Sequence, residues 1–396
     1  MFTIQLARGP NHRVLAGHCW VYESELAKDA PAPPDGSIVK LLDDRGRFLG
    51  IGFYNGNSQI RVRLLSRHND EINTGFFHYR LRTAWEFRQR CAAGADCYRV
   101  VASEADSLPG LIVDKYGDHL VLQTLTLAMD QRKAELVSIL VDLLKPAAII
   151  ERNDAPVRRY EGLDTVRGVL HGQTDGHVNV ESGGLKFSVN LLEGHKTGFY
   201  LDQRVNYARV AALAAGKKVL DAFSYMGAFA LACARAGAAS VTAVEIDADN
   251  VAAAQANAQA NGLADRIQFR AGNAFDFLST AQKAGDSYDL IILDPPSFTR
   301  TRANVPEAAR GYKEIHLRAL RMLAEPDEGR PGGLLATFCC SHHVTREMFE
   351  LIIAEASADA RRSVRLLERL GQSPDHPILP AVPETEYLKG AILQVM

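Results

Sequence analysis

The residues best suited to chemistry follow two apolar runs in the C-terminal half of the chain. The first run, Leu290–Leu293, ends in Asp294 and two prolines, which forbid both helix and strand pairing. The second run, residues 333–338, ends in a pair of cysteines that includes Cys340. In an open α/β sheet, ligands bind beyond the carboxyl ends of the strands. An acid on a stiff turn beside a thiol suits covalent chemistry on a flat, electrophilic ring, and that chemistry requires a cofactor.

The segment of residues 217–229 has the pattern of a strand, a turn and a helix. The next strand, residues 241–244, ends in Glu245, where an acid can accept both hydroxyls of a ribose. That layout fits a dinucleotide or S-adenosylmethionine. Phe223 and Tyr225 stand where a pyrophosphate-binding loop has glycines, so a cofactor without phosphate is favoured.

A third strand of the same region, residues 267–270, is followed by Asn273. Its amide oxygen can accept from the amino group of adenine, and its amide nitrogen can donate to a ring nitrogen. Polar or glycine residues thus come at successive strand ends, which favours a cofactor site over unremarkable loops. These residues are Asp221, Gly227, Glu245, Asn273 and Asp294.

Differences in the residue pattern along the chain predict three parts. Residues 1–70 contain short strands (37–42, 48–53, 59–65) and a loop at 31–36, typical of a small, half-open β-barrel. Residues 71–190 predict a linker helix and an α+β middle domain. From residue 191 to 396, strands alternate with helices, which indicates a mostly parallel α/β sheet covered on both faces. Within the middle part we expect helices at 73–93 and 131–144, strands at 120–125 and 147–151, and a β segment at 186–189 that closes the domain.

Bulk composition excludes several classes of protein. The length of 396 residues predicts two or three domains. No apolar stretch approaches the roughly 20 residues that span a bilayer, and the N-terminus lacks a signal-peptide pattern, so we expect no membrane association. The six cysteines have no regular spacing, so we expect neither a disulfide framework nor a metal site. Free thiols of this kind are typical of the reducing cytosol, where we expect the protein to be located. With a net charge of −2, any nucleic-acid surface must be a local patch.

Several motifs together carry a resemblance to a known family. They are residues 193–204 (EGHKTGFYLDQR), Phe223-Ser224-Tyr225 with Gly227, Asp294-Pro295-Pro296-Ser297-Phe298, Cys340-Ser341, Asp375-His376-Pro377 and residues 383–390 (PETEYLKG). Residues 191–396 resemble the class I S-adenosylmethionine-dependent methyltransferases, which have a Rossmann-like fold. The whole chain is similar to the bacterial 23S rRNA cytosine-C5 methyltransferases that carry an N-terminal PUA domain. Met226 and Asn273 depart from the family, which has threonine and aspartate there.

The resemblance implies a set of residues that hold S-adenosylmethionine and a flap, residues 199–204, that covers it. His195 and Lys196 precede this flap. For these two residues, a solvated turn without a role in binding is as consistent with the sequence as a functional role. The implied cofactor-binding residues are Tyr200, Gln203, Arg204, Asp221, Phe223, Ser224, Gly227, Glu245, Ile246, Asn273, Ala274 and Asp294.

The same resemblance implies a covalent mechanism. Cytosine C5 is a poor nucleophile, and a thiolate that adds to C6 makes C5 able to attack a methyl group. Cys340 matches the position of the nucleophile, whereas Cys339 is expected to face the opposite side of its strand and pack. Asp294 would hydrogen-bond N3 and the exocyclic amine of the base. Ser341, His342 and His343 are candidates for lowering the thiol pKa.

The RNA substrate requires a binding surface besides the site itself. Arg61 and Arg63 share one face of a strand and are candidates for phosphate contacts, and Arg152 and Arg158 extend that track. The target base must leave its stack to reach the thiol. Two other functions stay open: methylation of a guanine nitrogen without a thiol, and a non-catalytic RNA-binding assembly factor. The resemblance also implies a cytoplasmic location and a homodimer.

Overall fold

The computed structural model describes residues 1–9, 13–27, 32–194, 196–299 and 301–396. These residues form two compact units. The first contains Met1–Glu181, Val189–Leu201 and Pro374–Thr385, and the second contains Ser182–Ser188, Asp202–Ser373 and Glu386–Met396. Residues 32–36 form a loop as predicted, but residue 31 of that loop lies outside the described residues, as does His195.

The first unit begins with a five-stranded sheet whose alternating apolar residues form their own core, including Val21, Val39 and Val62. The sheet order is β1-β3-β4-β5-β2, and β1 pairs with β3 in parallel. The predicted strands are confirmed to within a residue or so at each end. The strands are β1 Phe2–Gln5, β2 Trp20–Tyr22, β3 Ile38–Leu42, β4 Phe48–Tyr54 and β5 Ile60–Ser66.

A helix and a second five-stranded sheet complete most of this unit. Helix α1, Thr74–Cys91, begins where Asn73 Oδ1 accepts from Phe76 N at 3.1 Å, which satisfies an otherwise unpaired donor of the first turn. The sheet order is β10-β9-β8-β7-β6. Its elements are β6 Cys97–Ala102, β7 Leu111–Tyr116, β8 His119–Thr124, α2 Leu127–Gln131, α3 Lys133–Leu144, β9 Ala148–Asn153 and β10 Val166–Gly172.

The β segment predicted at residues 186–189 exists, but the prediction that it closes the middle domain is wrong. Within the part of the chain that the structure describes, strand β12, Leu185–Asn190, forms a separate two-stranded sheet with β11, His177–Ser182. The turn Gly183-Gly184, with both residues at positive φ, joins the two strands as a tight hairpin, so β12 finds its partner locally.

The second unit is the predicted α/β sheet, with the order β15-β14-β13-β16-β17-β19-β18. Every residue of the central strands β16 and β17 is buried, as expected when helices cover both faces. The five strands β13 to β17 run parallel, and β19 is antiparallel to both of its neighbours. The elements are α4 Arg204–Ala211, β13 Lys218–Asp221, α5 Ala228–Arg235, β14 Ser240–Glu245, α6 Ala248–Ala260, β15 Ile267–Ala271, α7 Ala274–Ala284, β16 Leu290–Leu293, α8 Val305–Met322, β17 Leu334–Cys339, α9 Arg346–Ala360, β18 Val364–Gly371 and β19 Lys389–Val395.

Short 3₁₀ turns connect several of these elements, at Arg13–Ala16, Glu23–Glu25, Ser103–Asp106, Pro156–Glu161, Leu201–Gln203, Ala264–Arg266, Arg302–Asn304 and Pro383–Thr385. Over the described parts of the chain, none of the helices has both the length and the apolar character to cross a bilayer.

Candidate active site

The centre of the seven-stranded sheet creates a natural binding crevice. Strand β13 has β14 on one side and β16 on the other, so the chain order reverses there, and ligands of open α/β sheets bind at such a point. Asp221 ends β13, Glu245 ends β14, and Asp294 follows β16. The sheet therefore brings the carboxylates of three separate motifs to one edge of the second unit.

Asp221 shows how close these carboxylates are. Its side chain is fully buried; Oδ2 accepts from Ala230 N at 3.2 Å, and Oδ1 has no partner among the described residues. Burial raises the pKa of Asp221 to about 8, and the negative charges of Asp294 and Glu245 add to the rise. A cationic ligand placed here would relieve this repulsion.

The turn after β13 is shaped for a close approach of ligand. Tyr225 has φ 48° and Gly227 has φ 83°, and a Cβ added at Gly227 would also meet Ala254 Cβ at 3.3 Å. A non-glycine residue in the left-handed region is strained and is frequent at ligand sites. Ser224 Oγ is buried without a hydrogen-bond partner in the described structure, which leaves it available to a ligand.

Glu245 and its neighbour Ile246 combine a fixed acid with an apolar surface. Tyr225 N donates to Glu245 Oε2 at 2.9 Å, and Asp247 N donates to Oε1 at 3.1 Å. These two bonds fix the carboxylate while each oxygen keeps a further lone pair. Ile246 is 68% exposed, which is unusual for so apolar a side chain unless a ligand covers it.

Asn273 is more constrained than the sequence predicts. Its Oδ1 accepts from Phe275 N at 2.8 Å and caps helix α7. The amide nitrogen is therefore the group best placed to serve a ligand, and Ala274 beside it is buried. Phe275 lies between the rings of Phe223 and Phe298, at centroid distances of 6.4 Å and 5.8 Å. These rings supply an apolar wall.

Asp294 is oriented by a relay of amides. Gln203 Nε2 donates to Asp294 Oδ2 at 3.0 Å, and Asn206 Nδ2 donates to Gln203 Oε1 at 2.6 Å. Because the Asn206 amide also donates to Gly371 O at 2.9 Å, it holds Gln203 with its amino group towards the carboxylate. The predicted partnership of residues 203 and 294 in one site thus has a direct hydrogen bond.

The two cysteines at the end of β17 differ as predicted. Cys339 is fully buried in the core of the second unit, whereas Cys340 is half-buried. Cys340 Sγ lies 4.0 Å from Pro295 O, so the thiol sits against the turn that carries Asp294. Ser341 Oγ lies 3.0 Å from both Ser297 Oγ and Tyr312 Oη.

The predicted flap, residues 199–204, is divided between the two units, with Phe199–Leu201 in the first and Asp202–Arg204 in the second. In the first unit, Lys196 Nζ lies 4.2 Å from the centre of the Tyr200 ring. In the second unit, Arg204 begins helix α4 and is half-buried. The cofactor contacts implied for Tyr200 and Arg204 remain predictions.

The predicted arginine track is not a free phosphate-binding surface. Arg63 is part of an internal ion-pair network in the first unit, where its guanidinium contacts Glu104 at 3.3 Å and Glu161 at 3.1 Å. Arg61 Nη2 lies 2.5 Å from Glu23, whose side chain is 67% exposed. Only Arg61 of this pair has a partner that RNA phosphate can displace at low cost.

The prediction that Arg152 and Arg158 contact phosphate is also wrong, because each residue is only 2% exposed. Arg152 donates to Leu191 O and Gly194 O at 2.9 Å and 2.8 Å, and pairs with Asp154. Arg158 pairs with Asp130 at 3.0 Å and donates to Asp164 O at 2.8 Å. Their charge and their position after a predicted strand suggested these residues, but neither feature indicates the acids and carbonyls that bury them.

Sequence reasoning missed three residues that shape the site: Phe275, Asn206 and Tyr312. Phe275 directly follows the Asn273-Ala274 pair at the start of a helix, which is a usable signal. Asn206 lies three residues after Gln203, the spacing that places two side chains on one helix face. Tyr312 lies within a helix whose pattern predicts only packing, so no sequence signal marks its bond to Ser341.

The residues at this edge fit S-adenosylmethionine. The cofactor is cationic at its sulfonium and ammonium groups, and the three carboxylates, with a buried and unpaired Asp221 oxygen, suit positive charge. Its ribose suits Glu245, and its adenine suits the apolar wall and Ile246. No group of three or more potential metal ligands occurs within the described ranges.

Comparison with known proteins agrees with this site. Residues 4–67 match the PUA-like domain family, and residues 147–392 match the S-adenosylmethionine-dependent methyltransferase family. A Streptococcus mutans protein described as a SAM-dependent methyltransferase has the same fold, with a TM-score of 0.83, 23% identity and full coverage of both chains. Another solved methyltransferase, complexed with SAH, gives a TM-score of 0.85 at 23% identity, again over both full chains. Fold and site thus define a class I S-adenosylmethionine-dependent methyltransferase.

Curated relatives narrow the class. "Ribosomal RNA large subunit methyltransferase I" of Tolumonas auensis is 37% identical over 400 residues, covering 100% of this chain and 99% of that protein. The protein of the same name from Aeromonas salmonicida is 37% identical over 396 residues, covering 99% and 98%. The chain belongs to the family of these methyltransferases. The methyltransferase match begins at residue 147, ahead of the predicted boundary at 191, and the three-part domain division stays a prediction.

Proposed function

We propose that this enzyme methylates C5 of a cytosine in large-subunit (23S) ribosomal RNA, with Cys340 as the nucleophile. The observation that carries the proposal is the contact of Cys340 Sγ with Pro295 O, at 4.0 Å, in the turn that also carries Asp294. Methylation of a base nitrogen needs no thiol, so a half-buried cysteine at this position favours a carbon target. The rRNA substrate is supported by the names of the relatives and by the PUA-like match.

The Cys340 thiolate forms the Sγ–C6 bond, and the electron pair of the C5–C6 double bond makes C5 nucleophilic. When bound, S-adenosylmethionine supplies the electrophilic methyl group and leaves as S-adenosylhomocysteine. A base then removes the C5 proton, the electron pair restores the double bond, and Cys340 leaves C6 as a thiolate. The protein returns to its starting state with atoms and charge balanced.

In this proposal, Asp294 binds the target cytosine. Gln203 donates to Asp294 Oδ2 and orients the carboxyl group, which in this proposal contacts the N3 and exocyclic-amine edge of cytosine. For this contact Asp294 acts as a carboxylic acid: it donates its hydrogen to the N3 lone pair and accepts from the exocyclic amine, which withdraws electrons from the ring and makes C6 easier for the thiolate to attack. Gln203 and Asn206 act by keeping the carboxyl group in one orientation.

The product tests the proposal. The purified protein is incubated with large-subunit rRNA and methyl-labelled S-adenosylmethionine, and the RNA is digested and analysed by mass spectrometry. We expect labelled 5-methylcytidine. Labelled methylguanosine without 5-methylcytidine would overturn the carbon target, and binding of the RNA without any methylation would favour the assembly-factor alternative. The cytoplasmic location and the homodimer stay predictions from the family resemblance.

A further inference from the structure

One buried cation of the second unit has no role in the chemistry described so far. Lys389 begins β19, and its residue is only 3% exposed. Its Nζ donates to Ser341 O at 2.8 Å and to Tyr387 O at 3.0 Å. Both of these partners in the described structure are carbonyl oxygens, and neither is a carboxylate. Burying an ammonium group without a carboxylate partner costs folding free energy. A purely structural role therefore does not account for a lysine at this position.

The location of Lys389 connects this cation to the thiol. In the antiparallel pairing of β17 and β19, Lys389 is opposite Cys339. Its Nζ extends beyond that pair to the carbonyl of Ser341, the residue after Cys340. Its bond to the Ser341 carbonyl fixes the peptide unit immediately after Cys340. Two of the three ammonium hydrogens serve carbonyls, and the third has no partner among the described residues.

Burial alone makes a thiol of this protein unreactive. In the first unit, burial raises the pKa of Cys19 to about 12, and in the second unit it raises the pKa of Cys233. Burial also lowers the pKa of Lys389, while the thiols of Cys339 and Cys340 act in the opposite direction. The two thiol groups therefore favour the charged form of Lys389.

We propose that Lys389 is a positioning residue that activates Cys340, holding the peptide after the thiol and stabilising the thiolate with its ammonium group. The inference rests on the proposed function of Cys340. Other charges around the thiol do not replace Lys389: Arg346 is paired with Glu386 at 2.8 Å, and Asp294 disfavours a second negative charge. The remaining titratable groups near this strand end are Tyr312 on α8, Cys339 on β17, His342 and His343 after β17, and Tyr387 before β19.

The rate of Cys340 alkylation by iodoacetamide as a function of pH tests the inference without RNA or cofactor. The labelled peptide is followed by mass spectrometry in the wild-type protein, K389M and K389R. We expect the wild-type midpoint below the ordinary thiol value of about 8.5. In K389M the midpoint should rise by at least about one pH unit, and K389R, which keeps the charge, should remain closer to the wild type. Cys91, on α1 of the first unit, serves as the internal reference whose alkylation does not change.

A wild-type midpoint at or above the ordinary value, or an identical profile in K389M, would overturn the inference. The wild-type measurement decides even if K389M does not fold, because it needs no variant. A low wild-type midpoint that rises in K389M, together with absence of 5-methylcytidine, would leave Lys389 as the activator of the thiol and reject the proposed reaction. In the methylation assay, K389M should lower kcat while the Kd for S-adenosylmethionine stays within about twofold.

Discussion

Ser341 Oγ lies 3.0 Å from Ser297 Oγ and thereby joins the loop of the proposed nucleophile to the loop of Asp294. The direction of this bond follows from its neighbours. Ser297 Oγ donates its hydrogen to Thr299 O at 2.7 Å, so Ser341 must donate to Ser297. Tyr312 Oη, 3.0 Å away, must then donate to Ser341. The loop of Asp294 and the loop of the proposed nucleophile are thus held by one directed chain of hydroxyl groups.

Replacing Ser341 by alanine should lower activity more than it lowers stability. The S341A protein leaves the buried Tyr312 hydroxyl without its acceptor, which costs about 1–2 kcal/mol in the free energy of unfolding. Because the two loops lose their link, we expect kcat to fall by at least about tenfold with little change in cofactor affinity. Urea unfolding and initial rates of methylation measure the two effects. The matched control is S357A. It removes the hydroxyl of a serine on α9 that donates to Arg362 O, and it should keep full activity. Equal activity of S341A and S357A would contradict the role of the chain.

Replacing Asp221 by asparagine should weaken S-adenosylmethionine binding without unfolding the protein. Without cofactor, the raised pKa of about 8 keeps this carboxyl group largely protonated at pH 7, so a neutral amide is tolerated. The cationic cofactor favours the carboxylate, and its loss should weaken binding by about tenfold.

Proton release on binding checks this explanation directly. At pH 7, wild-type Asp221 should lose its proton when the cofactor binds, whereas D221N has none to lose. Calorimetric titrations in two buffers of different ionisation enthalpy count the released protons. D265N, at an exposed position of the same unit, should behave as the wild type. Identical proton release in D221N and wild type would contradict the account.

The arginines of strand β5 should differ in what their loss costs. R63A leaves Glu104 and the buried Glu161 without their cation, so we expect a loss of about 3 kcal/mol in unfolding free energy. R61A breaks only a pair with the exposed Glu23, and we expect a loss below about 1 kcal/mol. Urea unfolding of the two variants decides. Equal stability losses, or weaker RNA binding by R63A at unchanged stability, would restore the phosphate-contact interpretation of Arg63.

His316 should make the second unit sensitive to acid. It is fully buried, with Nε2 2.8 Å from Thr337 Oγ1, and burial lowers its pKa to about 4. The unfolded chain takes up this proton from about pH 6.5 downwards, so the stabilisation is present above pH 6.5 and is lost towards pH 4. H316Q should remove roughly 2 kcal/mol of the stability lost between pH 7 and pH 5. Asp221, whose pKa is raised, acts in the opposite direction in both proteins, so the comparison isolates His316. Parallel pH profiles would contradict the assignment.

Much of the second unit is predictable from sequence because its signals are local. Each strand is a short apolar run, and each candidate residue comes at the point where the run stops. The parallel order then requires Asp221, Glu245 and Asp294 to meet at one edge. Cys339 is the last residue of β17, all of which is buried, whereas Cys340 lies just beyond the strand end and is half-buried.

What the sequence does not predict depends on distant partners. Arg152 is basic and follows the strand predicted at residues 147–151, but its burial depends on carbonyls near residues 191–194, about 40 positions away. Strand β12 resembles any other strand, and only the glycine turn before it decides that it pairs with β11. Lys389 shows no helical or alternating pattern that would mark its bond to Ser341.

The most direct test of the central claim uses RNA in which 5-fluorocytidine replaces cytidine. Because fluorine at C5 cannot leave as a proton does, the Sγ–C6 bond should persist after methyl transfer and give a protein–RNA complex stable to denaturing electrophoresis. We expect this complex with the wild type and with C339A, and none with C340A, which should also lose methylation. Methylation of cytosine by C340A, or a complex that forms in C340A and is lost in C339A, would contradict the assignment of Cys340 as the nucleophile.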